Sequence, residues 1–170
     1  YGLARRIYRR RTRAARSTIY KTNTMKSFYN IQKAIEDVIS TEPFNSTVKF
    51  GDISDIDLKK QSIFPLAHII ADSGTINQND IVFNVTIYFI DLVEESEEQN
   101  STNNAVFVQN TQLALASRII RVLQKADLYR SDFEILGEVN FNLFKERFDN
   151  LLAGCEVTFS ITTKTEMTYC

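Results

Sequence analysis

Between Ile81 and Val93 apolar and polar side chains alternate, with Ile81, Phe83, Val85, Ile87 and Phe89 on one face of an extended chain and Asn84, Thr86 and Tyr88 on the other. A period of two sustained over such a run is the signature of a strand with one face turned to a core. The preceding run from Phe64 to Ala71 is apolar and β-branched. Together the two predict long antiparallel strands joined by a polar turn containing Ser73, Gly74, Asn77 and Asn79.

The other elements follow from the same kind of periodicity. Phe28, Ile31, Ile35, Val38 and Ile39 recur on one helical face, Ser27 is placed to cap the start, and Pro43 stops the run. Val48 and Phe50 mark a short strand ended by Gly51, and residues 51 to 65 read as a loop. A second helix is predicted from Val108, Leu115, Ile119 and Val122, flanked by Leu113, Ala116, Ile120 and Leu123, with Arg118 and Arg121 outward. Phe133 to Phe141 reads as a strand bulged at Gly137, the piece FKERFDNLLAG as a helical turn closed by Gly154, and Val157, Phe159 and Ile161 as a last strand. The order α, β, β, β, α, β, β predicts an α+β domain, with a largely antiparallel sheet and two main helices packed on one side.

Charge divides the chain differently. Residues 1 to 24 carry Arg5, Arg6, Arg9, Arg10, Arg11, Arg13, Arg16 and Lys21 and no acid, a charge of +8. Residues 25 to 170 keep the other 12 of the 20 basic residues and all 21 acidic ones, a net of −9. The expected organisation is a basic N-terminal arm, 1–24, ahead of a single α+β domain, 25–170; the stretch beginning at Met25 also looks like a protein start. Leu3, Ala4, Ile7, Tyr8, Ala14 and Ala15 fall near helical spacing, which fits either a basic amphipathic helix or an arm that orders on contact. Such a segment reaches for something anionic, and the acidic body of a neighbouring copy suits it as well as nucleic acid does.

Few residues offer chemistry. The single histidine, His68, lies in an apolar strand between Leu66 and Ile70, where a structural or interface role is expected. No phosphate-binding glycine loop and no nucleophile elbow occurs, and no cysteine can be paired with a second histidine, so no catalytic residue is assigned and the chain is not expected to be an enzyme. Asp52, Asp55 and Asp57 share a loop but lack the glycine and closing glutamate of a calcium-binding EF-hand; turn chemistry or a subunit interface is the reading. Glu94, Glu95, Glu97 and Glu98 make a solvated acidic loop that would repel a passing polyanion. Cys155 and Cys170 are too sparse for a disulfide framework or a zinc site, and no cofactor or metal is expected. No apolar run approaches the roughly 18 to 20 residues of a membrane helix, and no membrane partner is expected.

The segment FGDISDIDLKKQSIFPLAHIIADSG, residues 50 to 74, resembles the neck and tail-completion proteins of tailed bacteriophages, together with IVFNVTIYFIDLVEES, NTQLALASRIIRVLQK and FKERFDNLLAGCEVTFSI. In particular the chain looks like the tail terminator group, small α+β proteins that cap the tail tube and join it to the head. The resemblance spans roughly residues 25 to 170 and includes no catalytic motif. It implies a structural virion protein of the neck or tail, assembled in the host cytoplasm as a ring, commonly a hexamer. DNA would pass through the lumen without sequence-specific binding, and neighbouring neck or tail-tube proteins would be the other partners. The arm, with Arg5, Arg6, Arg9, Arg10, Arg11, Arg13 and Arg16, departs from the compact members of that group. It is expected to tether a subunit to its neighbour or to an adjacent ring or, in the alternative of a non-catalytic nucleic-acid-binding module, to clamp phosphates.

Overall fold

The computed structural model describes residues 28–44, 47–52, 64–93, 104–126, 133–145 and 151–164. The order of elements is α1 (Phe28–Ser40), β1 (Thr47–Phe50), β2 (Leu66–Ile76), β3 (Asp80–Leu92), α2 (Ala105–Ala126), β4 (Phe133–Lys145) and β5 (Leu152–Lys164). This is the α+β order expected from the sequence. The five strands form one sheet in the order β1-β2-β3-β5-β4, in which only β1 and β2 run parallel.

The alternating strand stands at the centre. β3 pairs with β5 along its whole length, from Asp80 opposite Lys164 to Leu92 opposite Leu152, and with β2 on its other side. One face of these strands presents Ala67, Ile69, Val85, Ile87, Phe89, Cys155, Val157, Phe159 and Ile161. Both helices lie on that face: Ile31, Ile35 and Ile39 of α1 and Leu115, Ala116, Ile119, Ile120 and Leu123 of α2 complete one buried cluster. The three isoleucines of α1 recur every four residues, so a single stripe of a 13-residue helix enters the core. Phe28 at the start of α1 packs on Phe83 of β3, their ring centroids 5.3 Å apart. α1 also touches α2, and Arg118 of α2 approaches Glu42 to 2.8 Å just beyond the end of α1. That contact is a charge pair and not an aligned hydrogen bond, since the same Glu42 oxygen accepts none.

The opposite sheet face is divided. At one end Tyr88, Ile90, Phe144 and Leu152 form a small buried cluster with Phe64 and Ile70 against it, and Tyr88 meets Phe144 edge to face at 6.2 Å. Tyr88 therefore shares the polar face of β3, as its spacing implies, but is buried there. At the other end Asn84 Nδ2 donates to Ser73 Oγ, and Ser160 Oγ donates to Asn84 Oδ1.

Four expectations need correction. Ser73 and Gly74 belong to β2 and not to the turn, because they pair with Asn84 and Phe83; the hairpin closes at Asn77, whose N–H donates to the Asp80 carbonyl. Backbone pairing carries β2 past the point where its side chains stop being apolar. FKERFDNLLAG is not one helical turn: Phe144 and Lys145 end β4 while Leu152 to Gly154 open β5, with 146–150 outside the described residues. Gly154 is accordingly no helix terminator but a close approach, since a Cβ there would run into the carbonyl oxygen of Phe89. Val122 lies half exposed at 44 %, because the buried face of α2 runs through Ile119, Ile120 and Leu123. The bulge expected at Gly137 is present, as a register shift between Leu136 and Asn140 with Gly137 at a φ of 66°.

Two substitutions test this packing. Gly154→Ala should lower the free energy of unfolding by about 1–3 kcal/mol or more, because β3 must move to admit a methyl group; urea titration followed by circular dichroism measures it. Gln112, 2 % exposed on the core side of α2, leaves its Oε1 without a hydrogen-bond partner. Gln112→Leu should therefore leave stability unchanged or raise it by about 1–3 kcal/mol, the cost of an unpaired buried polar group, and a lower urea midpoint would contradict that.

Candidate functional site

The sheet ends on two unlike edges, and the features available for recognition gather there. On one side β1 pairs only with Leu66 to Ile69 of β2. The last rung is the Gly51 N–H donating to the Ile69 carbonyl at 3.4 Å. Beyond it the chain leaves the sheet at Gly51 and Asp52, and β2 runs on to Ile76 with no strand beside it on that side among the described residues. A groove of about 460 Å³ opens where β1 stops, lined by Gln32 of α1, Gly51 and Asp52, residues 69 to 72 of β2, and Thr86 and Tyr88 of β3.

His68 fixes one wall of this region. It is fully buried, and its Nε2–H donates to the backbone carbonyl of Asp52 at 3.0 Å. A carbonyl can only accept, so that nitrogen carries the proton. The imidazole holds the departing end of β1 against β2. Asp52 thus enters the site through its backbone as well as through an exposed carboxylate.

The β2 edge carries a second carboxylate that the sequence pattern does not single out. Ile70 pairs with Thr86 and Ser73 with Asn84, so Ala71 and Asp72 both lie opposite the single residue Val85. This bulge places Asp72, exposed, on the lining of the groove. The signal in the sequence is a lone acid at the end of an apolar strand, a common guard of an open edge. Recognising it requires knowing that β2 is uncovered there.

The other edge is β4. Phe141 and Leu143 pair with Val157 and Cys155 and so point to the helix-covered side, yet they remain 54 % and 48 % exposed because α2 does not reach over them. Gln109 Nε2 donates to the Phe144 carbonyl at 2.9 Å and ties α2 to this end of β4. One turn earlier Val106 and Phe107 are both 72 % exposed. Four large apolar side chains are thus left open near one end of an edge strand.

Most of the site residues expected from the sequence lie outside the described residues: Arg5, Arg6, Arg9, Arg10, Arg11, Arg13 and Arg16 of the arm, Glu94, Glu95, Glu97 and Glu98, and Asp55 and Asp57. Of that set the structure describes Asp52. Among the described residues no group of three or more His, Cys, Asp or Glu is placed to hold a metal ion, and no helix is long and apolar enough to cross a membrane. Comparison with protein-family models and with curated proteins finds no match to this chain.

Cys155 is buried within the helix-side core, and burial pushes its thiol up to about 12 from the usual 9.0. The native thiol should resist alkylation at about pH 8 and react once urea unfolds the chain; a Cys170→Ser background isolates it. The unfolded thiol ionises near its ordinary value while the native one keeps its proton. The native state then binds more protons, and stability falls as pH rises above about 9 toward 12. The loss should be smaller in Cys155→Ala, compared by urea midpoints across that range.

Proposed function

We propose that the chain is a structural subunit of a phage neck, a tail terminator or head-tail joining protein that closes into a ring around the DNA channel. The observation that carries the assembly part is the pair of unlike edges at opposite ends of one sheet, unpaired among the described residues: β1 and the tail of β2 on one side and β4 on the other. An open edge flanked by apolar side chains recruits another chain. Contact that joins one edge of a subunit to a different surface of the next is heterologous, and such contact generates a ring where the rotation closes. Phe141, Leu143, Val106 and Phe107 supply apolar surface for it.

Charge fits the same assembly. A body of −9 over residues 25 to 170 repels the DNA it would surround, while an arm of +8 attracts the body of the next subunit. The placement in a phage neck, beside tail-tube or other neck proteins, rests on the resemblance of residues 50–74 and the three further segments to that group.

Electron microscopy of the purified full chain should give rings of uniform diameter, and sedimentation a single species of several subunits. Phe141→Asp with Leu143→Asp should weaken association by tenfold or more while leaving the circular dichroism unchanged, since both side chains are half exposed already. Monomers at every concentration would count against the ring. Duplex DNA binding that falls steeply with salt and depends on the arm would instead favour the phosphate-clamp alternative.

A further inference from the structure

Among the described residues β2 has no strand on one side of its backbone for half its length. From Ala71 to Ile76 its only strand partner among the described residues is β3, and residues 72 to 76 are all exposed. No described turn or loop supplies backbone hydrogen bonds to this edge. A row of outward N–H and C=O groups beside a groove accepts an extended peptide as an added strand, with main-chain bonds for affinity and side-chain contacts for selection.

The lining indicates which peptide. Ile69 and Ala71 border the edge on the helix side and Ile70, Thr86 and Tyr88 on the other, Gln32 adds a polar group, and Asp72 and Asp52 place negative charge at the rim. Among the described residues Asp72 has no ion-pair partner. The complement is an extended, cationic segment free of proline. This chain contains one: from Leu3 to Lys21 there is no proline, glycine or acid, and Arg5 to Arg16 hold seven arginines. Extended, the stretch from Arg16 to Phe28 alone spans about 40 Å, enough to leave its own subunit.

We propose that residues 5–16 of a second copy add to the open edge of β2 as a further strand, their arginines set against Asp72. The inference rests on the ring reading above and names the contact through which the arm acts in it.

The test uses two full-length variants, Asp72→Lys in the groove and Arg9→Glu with Arg10→Glu, Arg11→Glu and Arg13→Glu in the arm. Each alone should associate about tenfold more weakly than the parent at about 0.15 M salt, measured by sedimentation. Mixed in equal amounts they should recover association, because the arginine arm of one meets the aspartate groove of the other and the glutamate arm meets the lysine. Hydrogen exchange should show the 71–76 amides protected in the parent assembly and released in the arm variant. Variants that associate like the parent, a mixture without recovery, or unchanged exchange at 71–76 would each overturn the docking. Parent rings that persist with that result leave the ring reading standing, whereas a parent that never associates removes both.

Discussion

Everything in this fold is referred to the pairing of β3 with β5, two strands of 13 residues in continuous register. Their alternation creates one apolar face large enough to need covering, and the two helices cover it. Once that face is fixed, β2 and β4 can only extend the sheet sideways. The tightest point of the arrangement is Gly154, where the β3 backbone at Phe89 approaches so closely that no side chain fits. Of the strands that flank this centre, β4 has one bonded side among the described residues and β2 has its second bonded only over Leu66–Ile69, so whether the rest is covered depends on where the chain goes after leaving them.

The two sheet faces differ in kind. The helix side is a continuous core, while the other carries a small apolar cluster around Tyr88 and Phe144 and then gives way to hydroxyl and amide side chains. Thr86 and Thr158 meet across strands at 3.4 Å, and Asn84 bridges Ser73 and Ser160. These neutral groups satisfy one another, so this end of the face holds no strong claim on a ligand. Recognition is left to the edges, where backbone groups and half-exposed apolar side chains remain.

What could be read from the sequence was set by local physics. Strand period, helical stripe and element order depend on neighbouring residues, so β3, β5, α1 and α2 were all legible. The tail of β2 was not, because Ser73 and Gly74 look like turn residues until β3 is known to pair with them. Gly154 looked like a helix terminator for the same reason, its true constraint coming from Phe89 on another strand. Val122 misled because periodicity finds a helical face only to within a residue or so. In the site, Asp52 and His68 stood out as polar residues in or beside apolar runs. Asp72, Phe141 and Leu143 did not, since being at an edge is a property of the assembled sheet and of no single strand.

The shortness of β1 ties these observations together. Had it run on past Phe50, β2 would have no open edge and no groove; instead the chain turns off at Gly51 and His68 holds it there through the Asp52 carbonyl. An open edge exposes a protein to pairing with any similar edge, including the same edge of another copy. Asp72 bears on that directly. Two β2 edges brought together would set one Asp72 near the other, in bodies that already repel at −9 each, and like charges on adjoining strands are unfavourable. A strand bearing arginines meets the opposite sign. One exposed carboxylate at the bulge thus disfavours symmetric edge pairing and suits a basic strand, the asymmetry that the proposed head-to-tail ring would require.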